Sequence, residues 1–137
     1  MAIFYADASA LVKLVRDEPE SDPLRAYLAD ADIVTSELCL TEIPRAVRRA
    51  AAHDAELPLD LLIERTAELL DAVALRPLDR PLLAAAGALV EPALRALDAV
   101  HVASAVDLQS VDAFITYDDR QAAAARLTGL RTMAPGT

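Results

Sequence analysis

Glycine is scarce: the 137-residue chain has three, too few for the long glycine-rich loops that cradle phosphates with backbone amides. Cysteine is scarcer still. Cys39 stands alone with no internal disulfide partner, which fits a reducing compartment and sets the cytoplasm as the expected location. No run of about eighteen uncharged apolar residues occurs, so no membrane span is expected. The front of the chain lacks a basic segment followed by a long apolar one, so it does not read as a signal peptide. Basic charge is also in deficit. The formal net charge of −9 argues against a large basic surface for nucleic acid. It does not exclude a nuclease, because acids gathered around a bound cation count fully in that sum.

What is present is apolar. Hydrophobic residues make up 55% of the chain, which excludes a disordered polymer, and the length suits one domain, 1–137, with a sizeable core. The stretch Ile3-Phe4-Tyr5-Ala6-Asp7-Ala8-Ser9-Ala10 reads as a buried strand feeding a helix that runs from Ala10 to Val15. Asp7 then lies at the strand's carboxyl end, where open α/β sheets bind ligands. After a break with Pro19 and Pro23, Ser21 or Asp22 is placed to cap a second helix through Leu28. A second strand covers Asp32 to Thr35, and Ser36 is the expected cap of a helix from Glu37 towards Ala52, kinked by Pro44.

Leu59, Leu62, Ile63, Thr66, Leu69 and Leu70 follow helical spacing. Ala72 to Arg76 is the third strand candidate. Asp79 should cap the next helix, with Pro81 in its first turn, Leu82, Leu83, Ala86 and Leu89 on its apolar face, and Pro92 as its end. Leu97 to Leu108 is almost wholly apolar, hence a buried helix. Ala113 to Thr116 is the fourth strand, Gln121 to Leu127 a closing helix, Gly129 its C-terminal cap, and Arg131 to Met133 a short last strand. Strands alternating with helices define an α/β sandwich on a parallel sheet.

Four carboxylates occupy telling places: Asp7 after strand one, Glu42 on the third helix two turns past its cap, Asp98 at the front of the buried helix, and Asp118 just past strand four. Acids converging on one sheet edge would repel one another and raise their pKa values, and a hard divalent cation removes that penalty. Read singly, each has a plainer explanation. Asp7 and Asp98 could cap helices, Glu42 could be an exposed helical residue, and Asp118 and Asp119 could be turn residues.

Taken together they match a family. Asp7-Ala8-Ser9-Ala10-Leu11-Val12-Lys13 resembles the opening of the PIN domains of VapC-type toxins. Thr35-Ser36-Glu37-Leu38 through Thr41-Glu42-Ile43-Pro44-Arg45-Ala46 resembles their second motif, and Leu94-Arg95-Ala96-Leu97-Asp98-Ala99-Val100-His101-Val102-Ala103-Ser104-Ala105 their third. Phe114-Ile115-Thr116-Tyr117-Asp118 resembles the fourth. The resemblance implies a three-layer α/β/α sandwich with a mostly parallel sheet of four to five strands. It implies Asp7, Glu42, Asp98 and Asp118 as ligands of Mg²⁺ (or Mn²⁺), with Ser9 and Thr116 orienting carboxylates. Asp119 competes with Asp118 for the last role, and the Thr-x-Asp spacing favours Asp118. The implied activity is cleavage of single-stranded or structured RNA, often tRNA, leaving a 5′-phosphate. The implied setting is a bacterial toxin–antitoxin pair, with a homodimer and a cognate antitoxin that blocks the acidic pocket.

Other residues are weighed beside these. His101, one turn after Asp98, could reach the site, but reads better as a satisfied, partly buried histidine, since imidazole is a soft partner for Mg²⁺. Arg45, Arg48 and Arg49 share a helix face and could hold phosphates or simply be solvated. Cys39 reads as core, with no histidine at a spacing that suggests a nucleophilic pair. A non-catalytic PIN scaffold binding RNA or protein is the rival reading, against which the presence of all four acids weighs. A phosphoacceptor module would need a second acid beside Asp7 and a late lysine, but the only lysine is Lys13. A haloacid-dehalogenase phosphatase would need an acid where Ser9 stands.

Overall fold

A computed structural model describes every residue from Met1 to Thr137. Five short strands, β1 (Ile3–Ala6), β2 (Asp32–Ser36), β3 (Ala74–Arg76), β4 (Ala113–Ile115) and β5 (Thr132–Met133), make one sheet. The strand order is β3-β2-β1-β4-β5, and every neighbouring pair is parallel. The helices are α1 (Ala8–Val15), α2 (Ser21–Leu28), α3 (Cys39–His53), α4 (Leu59–Ala72), α5 (Arg80–Gly87), α6 (Ala96–Leu108) and α7 (Asp119–Leu127).

Alternation along the central strands builds the layers. Phe4, Ala6, Ala113 and Ile115 pack with Leu11, Leu24, Ile43 and Leu62 from the α1–α4 layer. Tyr5 and Phe114, one residue out of phase, pack on the other face with Val102 and Ala105 of α6 and Ala125 of α7. The result is the three-layer sandwich expected from the sequence. Residues Ala99 to Ala105 of α6 are all buried, because that helix is covered on one side by the sheet and on the other by α5 and α7.

The strand order positions the site. From β1 the chain moves outward through β2 and β3, then crosses back to β4 on the other side of β1. The order therefore reverses between β1 and β4, and a crevice opens at their carboxyl ends, where parallel sheets place ligands. Asp7 follows β1 directly, and Thr116 to Asp118 follow β4.

Several helix boundaries differ from the sequence expectation. Neither Ser21 nor Asp22 caps α2. The helix begins at Ser21, whose hydroxyl accepts the Glu18 amide at 2.9 Å and donates to the Arg16 carbonyl at 3.2 Å, so it stitches the preceding turn instead. Ser36 ends β2 and accepts the Leu38 amide, and α3 starts only at Cys39. Glu42 consequently sits in the first turn of α3 rather than two turns in, and the helix continues through Pro44 to His53. Helix α5 ends at Gly87, five residues before Pro92, and Leu83 is exposed rather than on its buried face. Asp79 does cap α5, accepting the Leu82 amide at 2.8 Å. Gly129 adopts φ 91°, the left-handed turn that closes α7, with Leu130 donating back to Ala125 and Gly129 to Arg126.

Leu11 is fully buried where α1 meets the sheet, α2 and α3. Leu11→Ala should lower the unfolding free energy by about 2–5 kcal/mol, out of roughly 5–15 kcal/mol for a typical domain. A fall in the urea midpoint at unchanged m value would register it.

Candidate metal centre

Asp7 is both helix cap and buried acid. At the N-cap of α1 its Oδ1 accepts the Ala10 amide at 3.0 Å and the Ser9 hydroxyl at 2.6 Å, while Oδ2 accepts the Thr116 hydroxyl at 2.5 Å. Only 2% of the residue is exposed. Burial pushes its pKa above the ordinary value, against the pull of the Ser9 and Thr116 donors. Those two hydroxyls also receive hydrogen bonds, Ser9 from the Tyr117 amide and Thr116 from the Asp118 amide, so the β4–α7 turn is tied to Asp7.

That turn places Asp118 at the N-cap of α7, where its Oδ1 accepts the amides of Arg120 at 2.9 Å and Gln121 at 3.1 Å. Asp119, the first residue of α7, is exposed. Asp98 is the third residue of α6 and not its cap, since the helix begins at Ala96 with no side-chain cap. The pKa of Asp98 is raised first by burial and then by the negative charge of Asp118, with Glu42 adding to it. The charge of Asp118 is thus felt at Asp98, while Asp119 stays on the rim.

Between these acids lies a residue that sequence reasoning missed. Gln121 of α7 is buried, with one terminal atom of its amide 3.1 Å from Asp7 Oδ2 and 3.1 Å from Asp98 Oδ1, and that atom is assigned as Nε2. This orientation is required, because the reverse would set Oε1 against two carboxylate oxygens. Glu42 enters from α3. Its Oε1 lies 2.6 Å from His101 Nε2, and His101 Nδ1 lies 2.7 Å from the Tyr5 hydroxyl. His101 is satisfied and buried, at 1% exposure, and it touches a site acid as well. The link to Tyr5 spans 96 residues of sequence, a separation at which no local pattern signals contact.

Two clefts flank the acids. One, of about 590 Å³, is lined by Ser9, Lys13, Glu42, Arg45, Arg49 and Tyr117 among others. The second, of about 400 Å³, is lined by Ala93, Arg95, Asp98, Asp118, Asp119 and Arg120. Arg48, grouped by sequence with Arg45 and Arg49, lies outside both. Lys13 is paired with Glu18 at 3.5 Å and Glu20 at 3.1 Å rather than with any of the four acids.

The donor set fits a hard divalent cation. No lysine or arginine pairs with Asp7, Glu42, Asp98 or Asp118, yet two of these acids are pushed towards protonation by burial. Carboxylate oxygens of this kind suit Mg²⁺ or Mn²⁺. The group of potential ligand atoms that the structure gathers within 4.8 Å of one another is Cys39, Glu42 and His101 rather than the four acids, although no sequence spacing joins that cysteine to a histidine. Burial lifts the Cys39 thiol to about 12, and its sulfur contacts the Thr35 hydroxyl at 3.2 Å. It remains a protonated core residue.

A parallel sheet with acids at its switch point is the architecture of a PIN domain, and the profile of that family matches residues 4–127. The chain belongs to the PIN-domain family, in its VapC-type branch. It is similar to ribonuclease VapC46 of Mycobacterium tuberculosis strain ATCC 25618 / H37Rv, with 38% identity over 148 residues covering 98% of this chain and 99% of the relative. It is 35% identical over 140 residues to ribonuclease VapC47 of strain CDC 1551 / Oshkosh, covering 98% of each. The fold resembles the crystal structure of VapC20 from Mycobacterium tuberculosis, a sarcin-ricin loop cleaving toxin, with TM-score 0.68 and 19% identity over 88% of this chain and 94% of that one. PAE2754 of Pyrobaculum aerophilum gives TM-score 0.66 and 20% identity over 96% of this chain and 83% of that one.

An acid whose folded pKa is raised binds its proton more readily in the folded state. Its stabilising contribution is therefore present at low pH and is lost as pH rises through the folded value. In EDTA, Asp98→Asn should melt higher than the native chain at pH 7 to 8, with the gap closing as pH falls towards the ordinary carboxyl value of 3.8. A series of thermal melts across that range checks it.

Proposed function

We propose that the chain is a Mg²⁺- or Mn²⁺-dependent endoribonuclease, the toxin of a bacterial toxin–antitoxin pair acting in the cytoplasm. One observation carries the reading: Asp7 and Asp98 share a single buried amide beside Asp118, and no basic side chain neutralises them. Asp7, Glu42, Asp98 and Asp118 would hold the cation. When bound, it lowers the pKa of a coordinated water and offsets charge on the scissile phosphate.

The protein's own groups do the rest. Ser9 and Thr116 fix both oxygens of Asp7, and Gln121 holds Asp7 and Asp98 at a set separation. Arg45 and Arg49 line one cleft beside the acids, and Arg95 and Arg120 line another. A strand lying across both clefts would meet cationic groups from each, which suits internal cleavage. These four arginines make no salt bridge, so they are available to phosphates although the chain as a whole is acidic. The substrate class is single-stranded or structured RNA, tRNA included, with a 5′-phosphate on the product. The partners are a cognate antitoxin and a second copy of the chain. No helix is long and apolar enough to cross a membrane.

Purified chain, freed of any partner, should cut total RNA at discrete positions with Mg²⁺ or Mn²⁺ and not in EDTA, with Asp98→Asn at least 100-fold slower and 5′ ends mapped by sequencing. An absence of cuts together with an absence of metal binding would favour the non-catalytic scaffold. Replacing both Arg45 and Arg49 by alanine should raise KM. It should also flatten the dependence of log affinity on log salt, by about 0.7 for each single-strand phosphate that is no longer neutralised. Fluorescence anisotropy with a labelled RNA between 50 and 200 mM salt measures the slope.

A further inference from the structure

We propose that His101 is a positioning residue that, held in its Nε2–H tautomer by the buried Tyr5 hydroxyl, locks one oxygen of Glu42 so that the other is presented to the cation. The inference rests on the metal-dependent reading above.

The hydrogen bonds assign the tautomer. The nearby hydroxyls of Thr35 and Ser104 donate to the carbonyls of Ala6 and Val100, so neither has a proton for Tyr5. Burial holds the Tyr5 phenol far above its ordinary pKa, so it keeps its own proton. That proton is placed to reach Nδ1 of His101 at 2.7 Å, the hydrogen bond that the Tyr5 hydroxyl makes in the structure. With Nδ1 accepting, the ring hydrogen sits on Nε2 and is donated to Glu42 Oε1 at 2.6 Å. Glu42 Oε2 makes no hydrogen bond and Glu42 lines the larger cleft, so its free oxygen is the one open to a ligand.

The base of this relay is rigid. Tyr5 is fully buried in the centre of the sheet, stacked on Phe114 with ring centroids 5.2 Å apart, and meets the His101 ring edge-on at 5.8 Å. Asp98 and His101 lie three residues apart on α6, so one helix face offers an acid to the centre and, one turn later, the ring that orients another. A carboxylate on the first turn of a helix has free rotamers unless something fixes them. Here the fixing group is anchored in the core rather than at the surface.

The test reads Mn²⁺ affinity of the RNA-free chain by electron paramagnetic resonance, alongside activity. His101→Ala should weaken Mn²⁺ binding by about 10-fold or more, in the range usual for loss of a group that orients a metal ligand. His101→Gln, whose amide can still donate to Glu42, should recover part of it. Tyr5→Phe keeps the ring stacking, removes the phenol proton, and should shift the His101 ¹⁵N signals away from the single Nε2–H form of the native chain. Unchanged Mn²⁺ affinity in folded His101→Ala would overturn the inference. So would a native His101 that carries its proton on Nδ1, a readout that survives even where the alanine variant does not fold. A native chain that binds no Mn²⁺ would instead remove the metal reading, and the inference with it.

Discussion

Unneutralised negative charge is the constraint around which this molecule is arranged. Asp7, Asp98 and Asp118 lie at the carboxyl edge of β1 and β4, and no lysine or arginine forms a salt bridge with any of them. Isolated carboxylates in such a position are costly. The fold contains that cost with neutral donors: two hydroxyls and an amide proton on Asp7, two backbone amides on Asp118, and one shared glutamine. Neutral donors hold the acids in place without consuming their charge. A lysine would stabilise the empty site better and would compete with a cation for it.

The parallel sheet makes this containment feasible. Helices α1 and α7 follow β1 and β4 after one and three residues, so their first turns point free amides at the same crevice. Each acid that follows a strand becomes the cap of the helix after it. Cap and ligand, the alternatives weighed for Asp7, do not exclude each other: Oδ1 caps α1, while Oδ2 takes the Thr116 hydroxyl and the Gln121 amide.

Much of the fold was legible in the sequence because buried parallel strands read as uninterrupted apolar runs and each is followed by a recognisable helix. The start of α5 was legible because Asp79 caps it, whereas α2 and α3 begin without a side-chain cap and the nearby Ser21 and Ser36, expected to cap them, serve turns instead. The four acids that motif order picks out come from separate elements, with Asp7 and Asp98 both reached by Gln121, and Glu42 held by His101. Motif order does not pick out Gln121 and Tyr5, because one is an ordinary glutamine on a closing helix and the other an ordinary strand aromatic. Their roles arise only when residues far apart in sequence are brought together. Arg48 lies outside the cleft that Arg45 and Arg49 line, since adjacent residues on a helix project about 100° apart.

The double duty of Asp7 and Asp118 has a kinetic side. The amide hydrogens of Ala10 and Gln121 are each donated to a site carboxylate, so neither can exchange with solvent unless a helix start frays and that carboxylate is released. Fraying of the first turns of α1 and α7 and disassembly of the centre are one motion. The exchange rates of those two hydrogens therefore set an upper bound on the fraction of time the centre is unmade. A partner that clamped either helix start would still the whole cluster without touching an acid.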